Sequence, residues 1–271
     1  MLREGDRDRY LCALLVPENV RGSFSALYAF NLEIARIRES VSDPMLGELR
    51  LQWWRDVIGG KARGDAMANP VAAALIDTMY NHALQPGPLL NMIDARQFDL
   101  YDDPMPDRNT FEGYAGETAS TLIQMSVNAV DPQSASGTGD AAGHAGVAQL
   151  VAGTLLLLPT HRARGQIFVP GDILDACGLD RDGFLAAKQT DRIGNAVQGF
   201  IALGREHLAA ARYSMEAVPK SAFAAFLPAA TVQQVFDKAE KLGGAILEQP
   251  LAIPQWRRQW RFWRAARRGR I

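Results

Sequence analysis

Residues 24–41 read Phe-Ser-Ala-Leu-Tyr-Ala-Phe-Asn-Leu-Glu-Ile-Ala-Arg-Ile-Arg-Glu-Ser-Val. Within them Phe24, Leu27, Tyr28, Ile34, Ile37 and Val41 recur at spacings of three and four residues or their sums. That is the stripe of an amphipathic helix, not the alternation of a strand. The run stops at Ser42-Asp43-Pro44, because a residue before proline is pushed out of the α region. Working outward, Leu46, Leu49, Trp53 and Val57 form a second stripe that Gly59-Gly60 closes. Residues 71–82 and 89–101 read as two more helices, and Asn109-Thr110 is expected to cap a fifth running to about Val130. Residues 131–143, rich in Gly, Ser and Ala, are expected to form a mobile loop inserted within the bundle.

Residues 145–158 are apolar almost all round, so that helix should be central. It is shorter than the about 20 apolar residues a membrane span needs. Residues 166–169 look extended, 172–177 form a short helix stopped by Gly178, 192–215 form a long one, 219–241 hold one or two, and Pro254 opens the last. No strand alternates with these helices, which predicts a single all-α domain over residues 1–271.

The charge balance is uneven. Lys and Arg number 29 against 30 Asp and Glu. Residues 256–271 hold seven arginines and no acid, so residues 1–255 carry 22 basic against 30 acidic residues, a net of −8. An acidic body and the lack of any recognition module argue against nucleic acid as a partner. Two cysteines, Cys12 and Cys177, exclude a disulfide scaffold and a Cys-rich zinc module. Both are expected to be free, small hydrophobes in a reducing compartment. The charged start Met-Leu-Arg-Glu-Gly-Asp-Arg-Asp-Arg-Tyr is not a secretory signal, so a cytoplasmic location is expected, with peripheral attachment to the inner face of a membrane as a further option.

Few residues announce chemistry. His82, His144, His161 and His207 are scattered with no ligand spacing, and each reads as a structural histidine. No glycine-rich phosphate loop is present. Asp99, Asp102 and Asp103 would share one face of a helix at i, i+3 and i+4, an arrangement able to hold Mg²⁺. The same residues also read as a solvated helix end running into Pro104.

Several segments resemble the squalene/phytoene synthase family. They are Tyr10-Leu11 with Leu15-Val16-Pro17 and Arg21, residues 26–30 (Ala-Leu-Tyr-Ala-Phe), 51–55 (Leu-Gln-Trp-Trp-Arg), 114–120 (Tyr-Ala-Gly-Glu-Thr-Ala-Ser) and 164–170 (Arg-Gly-Gln-Ile-Phe-Val-Pro). The resemblance implies an isoprenoid-synthase-type helical bundle around a central apolar cavity. It also implies head-to-head joining of prenyl diphosphates with Mg²⁺ held by two Asp-x-x-x-Asp motifs. Carried over by position, the first motif falls on Ala35, Arg36 and Glu39, and the second on Leu157 and His161; the family's arginine before the first motif falls on Leu32. Only Glu39 keeps a carboxylate. Tyr28, Arg36, Glu39 and Arg164 remain as possible contacts to an isoprenoid-like ligand. With most metal ligands gone, no cofactor is expected, and Mg²⁺ enters only if the chain is an active prenyltransferase after all.

One branch of the family fits these departures. Residues 28–33 (Tyr-Ala-Phe-Asn-Leu-Glu), 41–44 (Val-Ser-Asp-Pro), 158–161 (Leu-Pro-Thr-His) and 217–223 (Ala-Val-Pro-Lys-Ser-Ala-Phe) resemble a branch that includes a mitochondrial respiratory complex I assembly factor. That likeness implies a degenerate, non-catalytic or atypical synthase fold with a respiratory complex as client.

The last segment, 254–271, reads as a basic amphipathic helix. Trp256, Trp260 and Trp263 stand at i, i+4 and i+7 and form one stripe, with Arg257, Arg261 and Arg264 among the flanking arginines. Such a stripe suits a lipid headgroup interface or a partner; it would equally suit a helix that docks its tryptophans on the body.

Overall fold

Side-chain caps and prolines start the helices. Asp43 accepts from the Met45 N–H ahead of Pro44, and Asn69 accepts from the Val71 and Ala72 N–H groups ahead of Pro70. Each cap satisfies a donor that the first helical turn leaves free, and each proline sits where no N–H is needed. The structure, a computed structural model, describes residues 1–62, 64–188 and 190–271.

In chain order the helices are α1 (Leu2–Gly5), α2 (Arg7–Leu14), α3 (Glu18–Ala35), α4 (Pro44–Ile58), α5 (Pro70–Asn81), α6 (Pro86–Ala95) and α7 (Arg108–Ala115). They continue as α8 (Thr121–Val130), α9 (Gly139–Ala163), α10 (Gly171–Ala176), α11 (Arg181–Ala186), α12 (Thr190–Ser214), α13 (Val232–Leu242) and α14 (Gln255–Arg268). No strand occurs among the described residues, and the all-α expectation holds. The extended piece at 166–169 is tied to the distant Met105: Met105 N–H donates to the Ile167 carbonyl, and just beyond the piece Gly171 N–H donates to the Met105 carbonyl, both at 2.9 Å.

α9 is the axis. It packs against α12, α13, α8 and the turn Gly116–Ser120. By length and composition it is the one described helix able to cross a membrane, but most of it is buried in the bundle. The turn Gly116–Ser120 is π-helical and joins α7 to α8, so the expected fifth helix exists with one widened turn. Such turns insert a residue and re-aim the side chains around it.

Three expectations are corrected. The cap of α7 is Asp107, which accepts from Thr110 N–H at 2.7 Å, because Asp107 has the extended backbone a cap needs while Asn109 is already helical. Residues 131–143 are not a loop. Pro132–Gly137 forms a 3₁₀ helix and α9 begins two residues later. Asp131 ties this segment down by accepting from Ser134 Oγ at 2.7 Å and Ser221 Oγ at 2.5 Å, while Gln124 donates to the Ala135 carbonyl at 2.7 Å. The helix expected over 89–101 breaks after Ala95 and resumes as a 3₁₀ turn, Phe98–Leu100.

α14 seats on α2 and on the 3₁₀ segment Phe223–Thr231. Its Phe262 and Ala265 join Cys12, Phe223, Leu227 and Ala230 in a small apolar cluster beside the main core. Cys12 is free and fully enclosed there, and burial pushes its thiol well up, so it behaves as a hydrophobe. Cys177 is free and half-buried.

Candidate functional site

α2, α3, α9, α13, the π turn, the 3₁₀ turn that carries Asp99 and the segment 164–168 enclose a cavity of about 420 Å³. Ala35 and Glu39, Leu157 and His161, and Arg164 all line it. All the positions carried over from the two motifs except Arg36 therefore face one shared space.

What stands at those positions is not a set of metal ligands. Glu39 accepts from Arg164 Nη1 at 2.9 Å and meets Arg36 Nε at 3.5 Å. Burial pushes the Glu39 carboxyl up, but hydrogen bonds and charge from Arg164 and Arg36 outweigh it and hold it below its ordinary range. The Glu39–Arg164 pair thus links the end of α3 to the end of α9. Opposite it, His161 lies against the Phe168 ring, with 4.7 Å between centroids, and its Nδ1 has no partner. Burial, then the Arg164 charge, lowers its pKa to about 4, so it is neutral near pH 7. Among the described residues no three His, Cys, Asp or Glu side chains converge. One carboxylate engaged by two guanidiniums, a leucine, an alanine and a histidine do not fit Mg²⁺, which demands several oxygen ligands in near-octahedral array.

The second carboxylate cluster is dispersed. The expected single helical face is lost because the backbone leaves the α-helix at Ala95. Asp99 is buried, whereas Asp102 and Asp103 are exposed. Asp102 pairs with Arg38 at 3.3 Å. Asp99 turns inward to a polar network that the sequence did not announce. Arg96 Nη1 donates to Asp99 Oδ2 at 3.1 Å and to the Tyr114 hydroxyl at 2.5 Å, and Tyr114 donates to Asp99 Oδ1 at 2.7 Å. Arg96 Nη2 reaches Asn31 at 3.4 Å. Burial raises the Asp99 pKa against the pull of Arg96 and Tyr114, and burial pushes the Tyr114 hydroxyl well up.

Two suggested contacts lie elsewhere. Tyr28 sits on the cavity side of α3 one turn before Asn31 and Leu32, but Arg9 covers its ring, with the guanidinium carbon 5.9 Å from the centroid. Arg9 lines the cavity and Tyr28 does not. Arg36 points to a separate groove with Trp53 and Trp54. Leu32, the residue at the family's arginine position, lines both spaces.

The cavity wall carries Arg9, Arg38, Arg96 and Arg164 against Asp6, Asp8, Glu39 and Asp99, so its formal charges cancel. Its remaining wall is largely apolar, with Leu150, Leu156, Leu157, Val232 and Val235. Sequence reading missed Arg9, Asn31 and Arg96. The signals in the sequence are Tyr114 at the head of the 114–120 motif and the charged run 6–9.

His161 makes a pH prediction. Its folded pKa lies below the ordinary value near 6.5, so the unfolded chain binds the extra proton first and stability falls as pH drops from about 6.5 toward 4. At pH 5 the expected loss relative to neutral pH is about 2 kcal/mol. Urea midpoints at the two pH values should show it, and His161→Leu should remove most of that difference.

The comparisons agree with this geometry. A chain from Rattus norvegicus named NADH dehydrogenase (ubiquinone) complex I, assembly factor 6 is 30% identical over 271 residues, covering 96% of this chain and 81% of that one. A dehydrosqualene synthase solved with a ligand superposes with a TM-score of 0.83 at 14% identity, covering 98% of this chain and 93% of that one. Squalene synthase HpnC from Alicyclobacillus acidocaldarius gives 0.72 at 20% identity, covering 89% and 90%. The squalene/phytoene synthase family model matches residues 2–264. Helical architecture, shared cavity and a match over nearly the whole length lead to one statement: the chain belongs to the squalene/phytoene synthase family.

Proposed function

We propose that this protein assists assembly of the respiratory NADH:quinone oxidoreductase and does not catalyse Mg²⁺-dependent prenyl condensation. The observation that carries the reading is the Glu39–Arg164 ion pair across the positions of the two lost motifs. Ionising a prenyl diphosphate requires concentrated positive charge at the leaving group, and a metal supplies several kcal/mol of that stabilisation. Here the one surviving motif carboxylate is neutralised by protein cations. The 30% identity to a protein named as a complex I assembly factor supports the positive half of the proposal. A respiratory complex is then the client, at the inner face of the membrane that holds it. The apolar wall of the cavity suits an isoprenoid-like chain as a bound, unreacted ligand.

Deleting the gene and resolving membrane complexes on native gels tests the role. We expect fully assembled NADH:quinone oxidoreductase to fall several-fold, with restoration by the intact gene. Normal levels of the complex would refute the assembly role. Pure protein incubated with labelled farnesyl or geranylgeranyl diphosphate and Mg²⁺ should give no head-to-head product. A product would restore the prenyltransferase reading.

A further inference from the structure

The assembly proposal leaves the end of the chain unexplained. α14 meets the body through Phe262, Ala265 and Arg258, and Arg258 pairs with Asp8 at 2.9 Å. At 100° per residue, Trp256, Trp260 and Trp263 then stand on the opposite side of the helix. Their exposures are 64%, 54% and 42%, so the tryptophans are not what docks the helix. Large indoles left in water next to a complete apolar cluster are unusual and mark a contact surface.

The charges point the same way. Among the described residues, Arg257, Arg261, Arg264, Arg267, Arg268 and Arg270 form no ion pair with an acid of this chain. Arg257 lies over the Trp256 ring at 5.2 Å and Arg267 over the Trp263 ring at 4.9 Å. Trp260 and Trp263 stack at 5.0 Å. Guanidiniums are thus held at the level of the exposed rings. That layering matches a bilayer surface, where indoles rest at the hydrocarbon boundary and arginines meet phosphate. The acidic body, net −8 over residues 1–255, is repelled by an anionic surface, so attraction is confined to this end and sets the orientation.

We propose that the outward face of α14 seats the protein on an anionic phospholipid bilayer, with Trp256, Trp260 and Trp263 inserted at the headgroup boundary and the flanking arginines on lipid phosphates. The reading is independent of the assembly role, because its test contains no respiratory complex.

The test is flotation of the full chain with phosphatidylglycerol-containing vesicles and with pure phosphatidylcholine vesicles. We expect binding to the first, little to the second, and release by high salt, which screens exposed charge. Trp260→Ala/Trp263→Ala should weaken binding tenfold or more. Arg264→Glu/Arg267→Glu should weaken it at least roughly 25-fold, since each surface arginine contributes about a factor of five. Both pairs are exposed, so circular dichroism and the melting temperature should match the parent. Three results would overturn the proposal: no flotation, equal flotation on neutral vesicles, or flotation untouched by both variants. Loss of a protein contact in the tryptophan variant, without any vesicle binding by the parent, would assign the face to a protein instead.

Discussion

Arg96→Met is expected to destabilise the fold by about 3–5 kcal/mol, the cost of leaving one member of a buried ion pair without its partner. Arg96 and Asp99 are both largely enclosed, with side-chain exposures of 14% and 11%. The substitution strands the Asp99 carboxylate and removes the donor that holds the Tyr114 hydroxyl at 2.5 Å. Exposed pairs such as Arg36–Glu39 should cost under about 1 kcal/mol when broken. Urea unfolding at neutral pH gives the comparison. Asp99 in the variant gains nothing by staying charged, so the deficit should shrink as pH falls and the carboxyl takes a proton. Arg96→Met/Asp99→Asn should recover about half the loss, since the amide still accepts from Tyr114 without a buried charge. An Arg96→Met midpoint equal to the parent's would mean that the network carries no structural load.

Gly146→Ala and Gly143→Ala should act in opposite directions although both lie in α9. A Cβ on Gly146 would sit 2.1 Å from Ser120 Oγ, 2.5 Å from Ser120 N and 2.6 Å from Ser120 Cα. Backbone atoms of the π turn cannot swing aside as a side-chain tip can. Overpacking of this kind costs about 1–3 kcal/mol or more, which exceeds the about 1 kcal/mol that alanine gains over glycine in a helix. Gly143 has no atom within 4 Å of the added carbon, so alanine there should stabilise by up to about 1 kcal/mol. Its carbonyl still accepts from Ser120 Oγ at 3.0 Å in either case. Melting curves of the two variants decide it; stabilisation by Gly146→Ala would show that α9 and the π turn separate freely.

These cases show which features could be read along the chain. The helices at 44–58 and 70–81 were legible because periodicity, prolines and caps act within a few residues, and the stripe from Phe24 marked α3, which ends at Ala35 and not at Val41. The cavity-facing registers of Ala35, Glu39, Leu157 and His161 were legible through the family likeness alone. The composition of 131–143 suggests a loop, while its order comes from the nearby Gln124 and from Ser221, 90 residues away in the chain. The carboxylates Asp99, Asp102 and Asp103 were read as neighbours because they are adjacent in the chain. The backbone break after Ala95 sends one inward and two outward.

The sequence by itself determined the helical architecture, the acidic body with its basic end, and the loss of motif carboxylates at Ala35, Arg36, Leu157 and His161. The first two are properties of residue type and local spacing; the third follows from the family likeness. Only the tertiary structure decided that Glu39 is claimed by Arg164, that Asp99 belongs to Arg96 and Tyr114, that Gly146 has no room for a methyl group, and that α14 docks through its own Phe262 with its tryptophans outward. Those outcomes depend on which helix faces are pressed together, and packing between segments over a hundred residues apart, as for Glu39 and Arg164, leaves no periodic trace in the chain.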